Sequence, residues 1–140
     1  ARFKGVEVEA EYAVGGLFVR ANGSTAEGTN EVTGAPLSTI AADEIDVTVG
    51  YVFSDLGMTW GYRAEVVGAQ DEVPTPTLFT PGYTTHNLFG SWKPQDGPFA
   101  GLEVRVNVDN LSDKVYRRHL VSAAFKDPGR TFKVSLARTF

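Results

Sequence analysis

Leu102-Glu103-Val104-Arg105-Val106-Asn107-Val108-Asp109 decides the fold. Every even position is apolar and every odd position is polar or charged. Successive side chains of a strand point to opposite faces, so this stretch has one wholly apolar face and one wholly polar face. A helix would scatter the same residues around its circumference.

The rhythm recurs on both sides. Phe132, Val134, Leu136 and Phe140 alternate with Lys133, Ser135, Ala137 and Thr139. Ile45, Val47, Val49, Tyr51 and Phe53 alternate with Asp46, Thr48, Gly50 and Val52. Met58, Trp60, Tyr62, Ala64 and Val66 alternate with Thr59, Gly61, Arg63 and Glu65. Val6, Val8, Ala10 and Tyr12 oppose Glu7, Glu9 and Glu11. Leu17, Val19 and Ala21, and His86, Leu88, Gly90 and Trp92, follow the pattern less cleanly. The expectation is an all-β chain with strands over 3–12, 16–25, 43–53, 57–69, 82–93, 101–111 and 130–140, and no helix.

The connections alternate in length. Val14-Gly15-Gly16, Ser54-Asp55-Leu56-Gly57 and Pro94-Gln95-Asp96-Gly97-Pro98 are short and carry turn residues. Residues 26–42, 70–81 and 112–129 are long and rich in Gly, Pro, Thr and Asp. One end of the sheet therefore carries tight turns and the other carries long loops. This asymmetry, with strands of about ten residues, is that of an outer-membrane barrel, apolar outward and polar inward. Such strands must pair all round, because lipid cannot satisfy backbone polar groups. Tyr12, Tyr51, Phe53, Trp60, Tyr83, Trp92, Phe132 and Phe140 suit interfacial aromatic girdles. A soluble sandwich or lipocalin-like ligand-binding barrel shares the alternation and is the alternative of another class.

Composition narrows the rest. The 140 residues are 42% apolar and 21% charged, which excludes a disordered chain. No run of 18 apolar residues exists, so no membrane helix is expected. A net charge of −4 argues against nucleic acid as a partner. The absence of cysteine excludes disulfides and thiolate metal sites. Ala1-Arg2-Phe3-Lys4-Gly5 has no signal-peptide character, so a mature, cleaved or excerpted chain is expected.

Three segments resemble the TonB-dependent outer-membrane receptors. Asn107-Val108-Asp109-Asn110-Leu111-Ser112-Asp113-Lys114-Val115-Tyr116 resembles the family's N-x-x-N-L-F-D-K-x-Y segment. Pro128-Gly129-Arg130-Thr131-Phe132-Lys133-Val134-Ser135-Leu136 resembles its P-G-R-x-F final strand, and Pro81-Gly82-Tyr83-Thr84 with Leu88-Phe89 an earlier strand entry. These motifs span residues 81–136; residues 1–80 join them by strand rhythm. Phe132, Val134, Leu136 and Phe140 resemble the outer-membrane assembly signal, with Arg138 standing where an aromatic is usual.

The resemblance implies one C-terminal piece, residues 1–140, of a barrel of about 22 strands whose lumen holds a separate plug. The partners implied are the remaining strands and plug, TonB through the absent part, and outer-membrane lipid and lipopolysaccharide in a Gram-negative cell. The long loops would be extracellular. The implied function is uptake of an iron chelate, leaning to haem or haemoglobin, with a siderophore as alternative; no enzyme activity and no intrinsic cofactor are expected.

The ligand candidates are Arg117, Arg118 and His119. In a haem receptor this loop would offer His or Tyr to iron and Arg to the propionates; otherwise it is a basic surface loop meeting lipopolysaccharide or nothing. Tyr116 is expected to be framework, His86 to be structural on the lipid side or rim, and Glu7, Glu9, Glu11, Glu103, Arg105, Asn107 and Asp109 to be lumen wall. Arg63 and Glu65 are expected to join cross-strand charge pairs.

Overall fold

The computed structural model describes residues 1–139; Phe140 lies outside them. The described chain is a single antiparallel sheet of seven strands: β1 (Arg2–Val14), β2 (Leu17–Thr29), β3 (Glu44–Phe53), β4 (Met58–Val67), β5 (Tyr83–Trp92), β6 (Leu102–Asp109) and β7 (Thr131–Arg138). They lie side by side in chain order, with β1 and β7 at the edges. Each matches an expected strand. β1 and β2 run longer than expected, because Gly15 (φ 54°) and Gly16 (φ 90°) close a tight hairpin whose ladder extends to Arg2↔Thr29. Where no helix was expected, single 3-10 turns occur at Ser54–Leu56 and Pro76–Leu78.

Register sorts the faces. Tyr12, Val19, Val49, Tyr62, Leu88, Val108 and Phe132 are consecutive cross-strand partners, an apolar row across all seven strands. One residue along, Glu11, Arg20, Thr48, Arg63 and Asn87 form a polar row. A one-residue slip of any strand would exchange its faces.

Burial is inverted relative to a protein that folds in water. Val6, Val8, Phe132, Val134 and Leu136 are exposed, Val134 to 75%, whereas Thr85 is 1% and Glu65 8% exposed. The apolar face is bare, and what burial there is lies on the polar face, toward the loop end of the central strands. This rules out the lipocalin-like alternative, since the sheet neither closes on itself nor hides its apolar side chains. Lipid is the solvent that such a face fits. No described helix is long and apolar enough to cross a membrane, which does not bear on strands.

Two glycine positions matter to packing. Phe18, Gly50, Gly61 and Phe89 are successive partners on the polar face. The Phe18 ring lies over Gly50 and the Phe89 ring over Gly61, where any Cβ would collide. Aromatic cover of a bare backbone in this way restores packing that glycine lacks.

The long links are loop A (30–43), loop B (68–82) and loop C (110–130), all at one end of the sheet. Loop A folds back over the polar face: a Cβ on Gly28 would stand 2.6 Å from Ile40 Cδ1.

Candidate functional site

The loop end of the polar face holds the densest set of buried polar groups: Asp46, Glu65, Gln70, Thr80, Thr85 and Asn110. Burying such groups costs several kcal/mol unless they are hydrogen-bonded. No described side-chain polar atom is buried without a partner.

Loop C is built by the motif residues. Asn110 (φ 52°) and Asp113 (φ 54°) take the left-handed conformation that Asn and Asp tolerate. Asn110 Nδ2 donates to the carbonyls of Lys114 (2.8 Å) and Pro128 (3.3 Å), and its Oδ1 accepts from Lys114 N. Asp113 Oδ1 accepts from Arg130 N at 2.8 Å, and Arg130 Nε donates to Leu111 O at 2.9 Å. Asn87 Oδ1 on β5 accepts from Asn110 N. The two motifs at either end of loop C are thereby tied at its base. Tyr116 packs on Tyr83 with ring centroids 4.1 Å apart, joining the third motif to the first. Tyr116 was expected to be framework; it braces Tyr83 and also lines a recess, and burial raises its phenol above the ordinary value.

Arg118 turns inward from this frame. Its Nη1 is 3.0 Å from Asp127 Oδ1 and its Nη2 3.9 Å from Glu65 Oε1. Glu65 also accepts from Thr85 Oγ1 (3.2 Å) and Tyr83 OH (3.4 Å). Burial penalises the Arg118 charge, but Asp127, Tyr116 and Tyr83 outweigh it and hold the guanidinium above its ordinary value. The recess beside it measures about 550 Å³; Arg63, Glu65, Asn107, Asp109, Tyr116 and Arg118 are among its walls. Arg63 pairs across strands with Asp46 at 2.6 Å, and Glu65 finds its cation in loop C.

Arg117 and His119 turn the other way. Arg117 Nη2 donates to Thr80 Oγ1 at 3.0 Å and its Nη1 to Val121 O at 2.9 Å. His119 Nδ1 lies 2.9 Å from Thr80 Oγ1, and Nε2 lies 3.3 Å from Ser38 O. The three candidate residues are thus split, one into the recess and two into neighbouring loops. His86 sits on the apolar face with Nδ1 2.5 Å from Tyr62 OH. Phe132, Val134 and Leu136 stand exposed on the apolar face of β7. Gln70 and Thr80 escaped the sequence reading: each is an ordinary polar residue in a polar loop.

The family model described as "TonB dependent receptor-like, beta-barrel" matches residues 1–111. The chain belongs to this family. The match covers β1 to β6, so the likeness reaches well before the motifs that begin at Pro81. Among curated relatives of this TonB-dependent receptor barrel segment, "Heme/hemopexin utilization protein C" of Haemophilus influenzae is 29% identical over 141 residues, covering 100% of this chain and 19% of the relative. "TonB-dependent heme receptor A" of Haemophilus influenzae is 30% identical over 154 residues, covering 98% and 20%. The chain spans about a fifth of the length of the curated relatives it matches. Among solved structures, "Copper transporter OprC" superposes with a TM-score of 0.86 at 24% identity, covering 99% of this chain and 23% of that one. The FrpB iron transporter from Neisseria meningitidis (F3-3 variant) gives 0.78 at 19% identity, covering 99% and 23%. These two likenesses show the fold.

Proposed function

We propose that residues 1–140 are a C-terminal length of barrel wall, with three surface loops, from an outer-membrane receptor that takes up haem. The observation that carries this is the match of nearly the whole chain to one protein named for haem and hemopexin utilization and another named as a TonB-dependent haem receptor. The bare apolar face supports a place in the outer membrane of a Gram-negative cell, against lipid and lipopolysaccharide. The remaining strands and the plug would come from the rest of the longer protein, which would also engage TonB. The chain serves a transporter and not an enzyme. Phe132, Val134 and Leu136, with Phe140 beyond the described residues, form the proposed assembly signal.

Of Arg117, Arg118 and His119, Arg118 is the leading ligand contact, because it faces the recess and its fork suits a carboxylate. Arg117 and His119 lie outside the recess lining, on Thr80 and Ser38, whereas Arg118 lines it and would share its fork between a ligand and Asp127 and Glu65. Absorbance titration of haem into the receptor containing this chain tests the reading. Arg118→Ala is expected to weaken binding about tenfold, the worth of one charge-assisted pair. Preferential capture of a ferric siderophore by the unmodified receptor would overturn the haem assignment.

A further inference from the structure

Loop B narrows to a neck where Gln70 and Thr80 pair through both backbone bonds, at 2.8 and 3.1 Å. Both residues are buried, at 6% and 3% exposure. Their side chains leave the neck in different directions. Gln70 Nε2 donates to Ile40 O and Ala41 O of loop A, both at 3.1 Å, while its Oε1 accepts from Glu72 N. Thr80 Oγ1 is held by Arg117 and His119 of loop C. The far nitrogen of His119 returns to Ser38 O in loop A, closing a ring of contacts through all three loops.

We propose that this neck is a keystone that makes loops A, B and C one rigid wall, with Thr80, Gln70 and His119 acting as positioning residues for Arg118. The reason lies in loop C itself. Residues 117 and 119 are pinned to one side by a single hydroxyl, which leaves residue 118 aimed at the recess. Each bond alone is modest, but none of the loops can swing without breaking bonds on both neighbours. Opening of the mouth is therefore concerted.

Hydrogen exchange on the full receptor containing this chain tests the keystone without any ligand. Gln70→Ala removes the contacts to loop A and one bond within loop B but none to loop C, yet exchange in residues 116–121 of loop C is expected to rise about fivefold, as loss of hydrogen bonds of ordinary strength allows. Thr80→Val is expected to loosen all three loops while the turn at 54–57 keeps its protection, and Thr80→Ser to restore them. A rise confined to 38–43 and 70–72 in the first variant, or to 78–82 in the second, overturns the proposal. The link to Arg118 rests on the haem reading and has its own readout. Thr80→Val should raise the haem concentration for half-maximal uptake with little change in the maximal rate, and unchanged uptake with loosened loops would remove that link. Failure of the unmodified receptor to bind haem would strike the haem reading alone.

Discussion

Asn110 shows how much one side chain can carry. It is 3% exposed, left-handed in backbone, and bonded through both amide atoms to the two ends of loop C. Asn110→Ala leaves the carbonyls of Lys114 and Pro128 and the Lys114 amide without this partner, and it puts at positive φ a residue that tolerates the left-handed region less well than Asn does. The expected loss is about 2–4 kcal/mol in the thermal or denaturant unfolding of the receptor. Asn110→Gly relieves only the backbone part, so it should recover a minor share. The motif that contains Asn110 was visible as a pattern of letters. That its task is to close a loop was not, because the partners lie at Pro128 and Asn87, distant in sequence.

At the scale of elements, the strands were legible because a period of two is written into each one separately. The loop ties were not, since His119 meets Ser38 across 81 positions and loops have no period to read. Charge pairing fell between these cases. The polar face was evident, yet Arg63 leans to Asp46 although its register partner is Thr48. Strand β7 offers a clean test of the faces. Val134→Arg places a charge on the lipid face and is expected to cost about 2–4 kcal/mol if it lies at mid-depth, whereas Ser135→Arg, one position on, should cost less than about 1. Equal costs in urea titrations of the refolded receptor would contradict the assignment of faces.

For the whole molecule, the open edges and bare face set the solution behaviour. Thirteen residues of β1 present an unpaired backbone edge, and the apolar row crosses every strand. Residues 1–140 expressed alone are expected to require detergent and to self-associate through β1 and β7 even then. Light scattering in detergent checks this: a stable monomer in plain buffer would exclude the membrane-wall reading. Net charge and composition could not reveal this, because they count residues without saying which side they stand on.

The strictly sequential strand order has a consequence for time as well as for shape. Every ladder joins neighbours along the chain, so no segment must wait for a distant one before it can pair. Such local topology shortens the entropic search. The sheet can grow one hairpin after another, each finished strand serving as template for the next. A misplaced residue inside a strand would then be inherited by every strand laid down after it.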